Sequence, residues 1–320
     1  MNILITGASG FVGTNLINYL DKSNTRIDAL DLGQKFSNSI CNSFNWNNFN
    51  ELQFENYNAV IHLAGKAHDT RNQSTKESYI EINFGLTKKI FDKFLDSQSE
   101  CFIFFSSVKA VADVVTGEEL NEGVTPLPVG PYGESKLMAE EYILEYFRKD
   151  DERLKNKRVY ILRPCMIHGP GNKGNLNLLY SVVKKGIPWP LGTFNNKRSF
   201  TSVENLCYIV SKLIDNKNYI PSGIYNIADD EPISTNRIIE LISEVNNKKT
   251  RILKLNSILV KTIAHIGDIL HLPINSLRLQ KLTENYVVSN KKIKEALSIE
   301  KLPETAEAGL IKTLKSFKNK

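Results

Sequence analysis

The chain has 320 residues, 41% of them hydrophobic and 24% charged, and carries a net charge of +6. That length buries a full core in one large domain or two, with the balance of an ordinary soluble globular protein. The basic residues form no clustered arm, which excludes a nucleic-acid footprint. Cys41, Cys101, Cys165 and Cys207 lack close-paired spacing, which excludes a zinc site or disulfide framework. No apolar run approaches the ~20 residues of a membrane span. The expectations are no metal, no nucleic acid, no membrane insertion and, because the chain enters a strand with no basic leader before it, a cytoplasmic location.

Asn2–Thr6 has the bias of a buried strand, and Gly7, Gly10 and Gly13 follow at three-residue spacing. From Phe11 the pattern turns helical, with Phe11, Val12, Leu16, Ile17 and Leu20 on one face. Strand, glycine turn and helix start make a pyrophosphate site. Gly7 allows the turn, Gly10 lets the backbone approach the ligand, and Gly13 lets helix and strand pack, with Phe11 and Val12 in the first helical turn. Arg26–Leu30 is the next strand and Asp31 stands at its tip, where a carboxylate accepts from the adenosine ribose. It repels a 2′-phosphate, so NAD is favoured over NADP, although Lys35 lies nearby; Asp28 is the competing acid, in mid-strand.

Gly33 to Asn58 is polar and Asn-rich, with room for one short strand and a loop. Ala59–Leu63 is the following buried strand, and it runs into Ala64 and Gly65, small enough for close cofactor approach. His62 and His68 could be read as catalytic or metal-binding, but His62 sits inside that apolar strand with no matching ligand nearby and reads as structural. Tyr79 to Leu95 is a long amphipathic helix with Asn83 on its apolar side, where a buried amide needs partners: a backbone bridge or a cofactor contact. Cys101–Phe105 is a near-continuous apolar strand that ends in Ser106 and Ser107. Strands buried on both faces and alternating with helices predict an α/β, Rossmann-type doubly wound parallel sheet, with ligands at the carboxyl ends of its strands.

After a loop from Val108 to Val129, P-Y-G-E-S-K opens a helix running to about Lys149. Tyr132 and Lys136 are four apart and share a face. A phenol with an ordinary pKa of about 10 becomes a usable base only beside positive charge, so Lys136 is expected to lower it, with Ser107 holding the substrate oxygen.

With these motifs in order, the chain resembles an extended short-chain dehydrogenase/reductase of the sugar-nucleotide epimerase/dehydratase group. T-G-A-S-G-F-V-G, H-L-A-G, F-F-S-S, P-Y-G-E-S-K and I-L-R-P-C-M-I-H-G-P-G carry the resemblance over nearly the whole chain. It implies Tyr132 as acid/base, Lys136 as the residue that lowers its pKa and holds the nicotinamide ribose, and Ser107 as their assistant. It also implies Leu63, Ala64, Gly65, Asn83 and Pro164 beside the cofactor. The dehydratase branch has an Asp-Glu pair where this chain has Val108 and Lys109, which disfavours dehydration. S-S-V-K and P-G-N-K-G-N look closest to bacterial UDP-N-acetylhexosamine 4-epimerases and 4-keto-6-deoxy reductases of surface-polysaccharide pathways. The resemblance implies a UDP-sugar substrate and a homodimer paired through the helices Tyr79–Leu95 and Tyr132–Lys149. A regulatory or assembly protein that binds NAD without turnover is the other class; the intact Ser107, Tyr132 and Lys136 argue against it.

The sheet domain is expected over 1–165, with returning pieces near 200–230, and a smaller C-terminal substrate lobe from 166–320. In the lobe, Arg198 of the R-S-F segment is the residue the resemblance assigns to the nucleotide diphosphate, whose shape suits a guanidinium fork. Asn175 and Arg278 are weaker substrate contacts. Gly223–Ala228 reads as a strand and Arg237–Val245 as a helix capped by Ser234 or Thr235. Ile252 to Leu272 is amphipathic and lysine-bearing; a membrane-surface role is one reading, and the lobe's packing face is the simpler one. Lys291 to Lys320 reads as a helical tail.

Overall fold

The computed structural model describes residues 1–21, 25–33, 39–67, 74–172, 174–269 and 275–318, without the side chains of Leu277 and Arg278. The first half contains β1 (Asn2–Thr6), α1 (Phe11–Leu20), β2 (Arg26–Leu30), β3 (Ile40–Phe44), β4 (Ala59–His62), α2 (Lys76–Tyr79), α3 (Leu86–Leu95), β5 (Cys101–Phe105) and α4 (Pro131–Arg148). Then follow β6 (Arg158–Pro164), β7 (Met166–His168), α5 (Asn175–Lys184), β8 (Phe200–Ser202), α6 (Val203–Asp215) and β9 (Gly223–Ile227). The chain closes with α7 (Thr235–Val245), α8 (Ser257–Ile269), α9 (Ser276–Thr283), α10 (Lys291–Leu297) and α11 (Ala306–Lys318).

Seven strands form one sheet in the order β3-β2-β1-β4-β5-β6-β9, every neighbouring pair parallel. The all-buried run Cys101–Phe105 shows why: helices cover both faces, so no position on a central strand can be polar without a partner. One face packs α1 and α6 against Ile3, Ile5, Ile103 and Leu162; the other packs α3 and α4 against Leu4, Val60, Phe102 and Ile161. The strand order reverses at β1 and β4, which opens the crevice of a doubly wound sheet at their carboxyl ends.

The helix expected over Tyr79–Leu95 starts earlier, at Lys76, and is not uniform. Ile80–Gly85 forms a π-turn between α2 and α3, and Asn83 is its buried residue. Such wide turns concentrate at functional positions. The polar stretch before β4 yields the short edge strand β3 and reaches the core through Leu52, Phe54 and Tyr57.

A second core gathers Leu176 and Tyr180 of α5, Ile238 and Ile242 of α7, Leu310 and Phe317 of α11, and Trp189. The pieces returning to the sheet are α6 and β9, joined by Ile293 of α10 and by Leu302, so part of the expected tail belongs to the sheet core. The segment read as the lobe's packing face behaves differently. In α8, Val260 and Ala264 are buried, whereas Ile258, Leu259, Ile263, Ile266 and Ile269 are exposed.

Candidate cofactor and catalytic site

The turn after β1 needs glycine for two separate reasons. Gly7 has φ +70, the left-handed region, and a Cβ there would lie 2.7 Å from the Ala64 nitrogen. At Gly13 a Cβ would meet the carbonyl oxygens of Gly7 and Ala8 at 2.5 and 2.6 Å, so helix and turn close only on glycine. Gly10 is different: it is exposed at the helix start, where its Cβ position meets only the Gly7 oxygen. No side chain caps α1, so the N–H groups of its first turn, at Phe11, Val12 and Gly13, are left for an anion. The residues present fit a dinucleotide pyrophosphate.

Asp31 ties this turn to the end of β2. Its Oδ2 accepts from the Ser9 N–H at 2.7 Å, and its Oδ1 from Leu32 at 2.6 Å and Gly33 at 3.1 Å. The carboxylate is thus fixed beside the turn with acceptor capacity left for a ribose hydroxyl. Asp28, the competing acid, is used inside the fold by Tyr57 and Asn42.

At the end of β4, the Leu63 N–H donates to the Thr6 carbonyl and the Ala64 N–H to the Thr6 hydroxyl, each at 3.1 Å. Gly65 was expected to be small for the cofactor's sake. A Cβ there would lie 2.9 Å from Asn83 Oδ1 and 3.2 Å from Lys136 Nζ, so contacts within the protein already forbid a side chain. Asn83 is fully buried and bridges: its Oδ1 accepts from the Lys66 N–H, and its amide donates to the Lys66 carbonyl and to Ser135 Oγ. Of the two roles open from the sequence, the backbone bridge is the one its bonds make.

Pro131 at the first helical position sets the start of α4. Tyr132 packs edge-on against Tyr79, ring centroids 6.4 Å apart. Burial raises the Tyr132 phenol above its ordinary pKa, the Ser107 hydroxyl beside it pulls it down, and Tyr79 pushes it up. This differs from the lowering expected from Lys136. The Lys136 ammonium is directed to the Phe105 carbonyl, 2.7 Å away, and burial dominates at the phenol. Lys136 itself is 5% exposed, and desolvation pulls it down to about 8 against the opposing pull of Glu140. Ser107 caps the short turn after β5 by accepting from the Lys109 N–H at 3.2 Å.

The sequence reading missed a buried ion pair one helical turn beyond Lys136, bonded to Ser106, the neighbour of Ser107. Glu140, fully buried, accepts from Ser106 Oγ and pairs with the Arg163 guanidinium, whose Nε lies 2.9 Å from Oε1. An acid one turn beyond Lys136 and an arginine inside the apolar strand before Pro164 were the available signals. Pro164 ends β6, buried and in register with Ile227. His62 is structural as expected. Thr87 gives its hydroxyl proton to the Asn83 carbonyl, so His62 Nε2 donates to Thr87 at 3.0 Å and Nδ1 accepts from Thr6 at 2.7 Å. Burial, assisted by Lys136, holds its pKa down at about 3.

Arg198 is not a solvated loop cation. It is part-buried, donates to the Lys281 carbonyl of α9, and forms backbone bridges to Ile233 and Tyr286. Burial lowers its pKa, with Glu284 opposing. Asn175 is exposed at the first position of α5. The side chain of Arg278 and residues Lys35 and His68 lie outside the described residues.

The profile of the NAD dependent epimerase/dehydratase family matches residues 3–228. A UDP-glucose 4-epimerase of Vibrio cholerae is 31% identical over 261 residues, 78% of this chain and 77% of that protein. The N-acetyl-alpha-D-glucosaminyl-diphospho-ditrans,octacis-undecaprenol 4-epimerase of Escherichia coli O157:H7 is 26% identical over 253 residues, 78% of this chain and 73% of that one. The crystal structure of UDP-glucuronic acid 4-epimerase from Bacillus cereus in complex with NAD superposes with a TM-score of 0.74 at 18% identity, covering 100% of this chain and 99% of the other. A family profile that spans most of the chain and a relative at this identity together show that the chain belongs to the NAD dependent epimerase/dehydratase family.

Proposed function

We propose that this protein performs redox chemistry at C4 of a nucleotide-activated sugar, a UDP-linked N-acetylhexosamine or 6-deoxyhexosamine. It would act as a 4-epimerase or 4-keto reductase in the synthesis of surface-polysaccharide precursors. The observation that carries the reading is the convergence of Tyr132, Ser107 and Lys136 around the end of β5, next to Gly65 and the glycine turn. Bound NAD supplies hydride exchange with the sugar carbon. Tyr132 moves the proton at the C4 oxygen, and Ser107 hydrogen-bonds that oxygen while its charge changes. Lys136, buried and held against the Phe105 carbonyl, holds the nicotinamide ribose, and the Ser107 hydroxyl is the neighbour that favours the phenolate. Arg198 clamps the diphosphate, with Asn175 and Arg278 as further contacts.

Dehydration is disfavoured because Val108 is buried and apolar and the Lys109 ammonium is engaged by Asp113 at 2.6 Å. Neither offers the acid or base an elimination needs. The working form in this reading is a cytoplasmic homodimer paired through α3 and α4. The purified protein, given UDP-sugars and their 4-keto derivatives, should convert one class, read by product identity alongside absorbance at 340 nm. Epimerisation leaves no net absorbance change, and reduction consumes NADH. Product from neither class would reject the reading.

A further inference from the structure

The outer surface of α8 has chemistry that the proposed reaction does not use. Leu259, Ile263 and Ile266 recur at helical spacing, 53%, 46% and 46% exposed, and Ile258 and Ile269 extend the stripe at 73% and 67%. Only Val260 and Ala264 are buried among the helix's described side chains. A contiguous exposed patch of this kind marks an interaction surface. Its charge setting is as unusual. Between Lys248 and Leu282 the sequence has seven lysines and arginines and one acid, Asp268, a surplus of +6 that equals the net charge of the whole chain. The rest of the chain is balanced.

That single acid is committed. Asp268 accepts from the Ser276 N–H at 2.9 Å and from Ser276 Oγ at 2.5 Å, and it faces His265 at 3.6 Å. Lys254 and Lys261 are exposed and have no ion-pair partner among the described residues. A second copy of the chain would cover the apolar stripe only by bringing two cationic rims together, which like charges oppose. An anionic bilayer satisfies both features at once: apolar side chains enter the headgroup–acyl boundary and the lysines meet the headgroups. No helix among the described residues is long and apolar enough to cross a membrane, so the contact is a seat and not a span.

We propose that α8 seats this protein peripherally on an anionic lipid surface through Leu259, Ile263 and Ile266 and the basic residues around them. The placement has a consequence for the site. Asp268 joins the end of α8 to the start of α9, and the Lys281 carbonyl of α9 accepts from Arg198, so the seated helix is linked through α9 to the guanidinium proposed for the diphosphate. The docking itself does not rest on the proposed reaction, and its test uses no sugar.

Sedimentation with vesicles of phosphatidylcholine alone, and of phosphatidylcholine mixed equally with phosphatidylglycerol, reads the contact. Wild-type protein should partition at least ~10-fold better onto the anionic vesicles and lose that advantage at high salt. Ile263→Glu with Ile266→Glu should reduce partitioning by ~10-fold or more while circular dichroism stays that of wild type, since both side chains are exposed. Lys254→Ala with Lys261→Ala should weaken it by roughly fivefold per charge, leaving the fold untouched. Wild type that fails to sediment with anionic vesicles, or sediments no better than the Ile263→Glu/Ile266→Glu protein, would overturn the proposal. A dimer in light scattering that this double variant dissociates, without vesicle binding by wild type, would overturn it in favour of a second copy.

Discussion

Glu140→Gln is the sharpest test of how the site is held. The carboxylate is fully buried between the Arg163 guanidinium and Ser106 Oγ, and Arg163 is only 2% exposed. Replacing one oxygen by an amide keeps the volume but leaves a buried guanidinium without its counter-charge, a loss of about 3–5 kcal/mol. Replacing both partners, Glu140→Leu with Arg163→Met, removes the unpaired charge and should recover a large part of that loss, because apolar pairs in such positions are often nearly neutral. Urea unfolding of the single and double variants at unchanged m-value measures both numbers. The pH–rate profile adds a second readout: Glu140 raises the pKa of Lys136, so in Glu140→Gln the cation is lost at a pH below about 8 and the alkaline limb moves down. A Glu140→Gln protein within ~1 kcal/mol of wild type, with an unshifted alkaline limb, would refute the argument.

Tyr132→Phe should keep fold and cofactor affinity and lower turnover by ~100-fold or more, which steady-state kinetics checks. NADH should bind at least ~10-fold tighter than NADPH, and Asp31→Ser should narrow the gap in competition binding, because the carboxylate that Ser9, Leu32 and Gly33 hold in place repels a 2′-phosphate. His62 has a folded pKa of about 3 against an ordinary 6.5, so the unfolded chain binds the extra proton as pH falls below 6.5. Its contribution is complete above that value and falls by ~2 kcal/mol by pH 5, an acid sensitivity that His62→Gln should reduce in denaturation at the two pH values. Arg198→Ala should weaken UDP binding by ~1.5–3 kcal/mol and leave NADH binding unchanged, read by separate titrations.

Much of the sheet was legible because its strands declare themselves: Asn2–Thr6 and Cys101–Phe105 are apolar runs that end at glycine or serine, and each forms where the pattern puts it. The glycine turn was legible for the same reason, since φ at Gly7 and the contact at Gly13 admit no side chain. The buried ionic cluster was not. Glu140 lies on a helix whose next residue is another glutamate, and a single sequence does not say which of Glu140 and Glu141 turns inward. Nor did the amphipathic pattern of 252–272 reveal how much of its apolar face would find a partner. Periodicity reports that one face is apolar, not that the lobe has a surface wide enough to cover it.

The charges around α4 depend on one another in an order that single residues conceal. Tyr132, Lys136 and Glu140 stand one helical turn apart, so one stripe of the helix carries a phenol, a cation and an acid toward the sheet. Burial opposes charge at Lys136, and Glu140 restores part of it. The retained cation then helps keep His62 neutral, which preserves the Thr6 and Thr87 bonds that join β1, β4 and the helix carrying Asn83. Loss of Glu140 would therefore reach the proposed nicotinamide contact at Lys136 and, through Ser106, the neighbouring Ser107 proposed for the substrate oxygen. A purely structural ion pair would shift stability alone; this one, placed between the lysine and the serine turn, couples stability to the pH at which the site works.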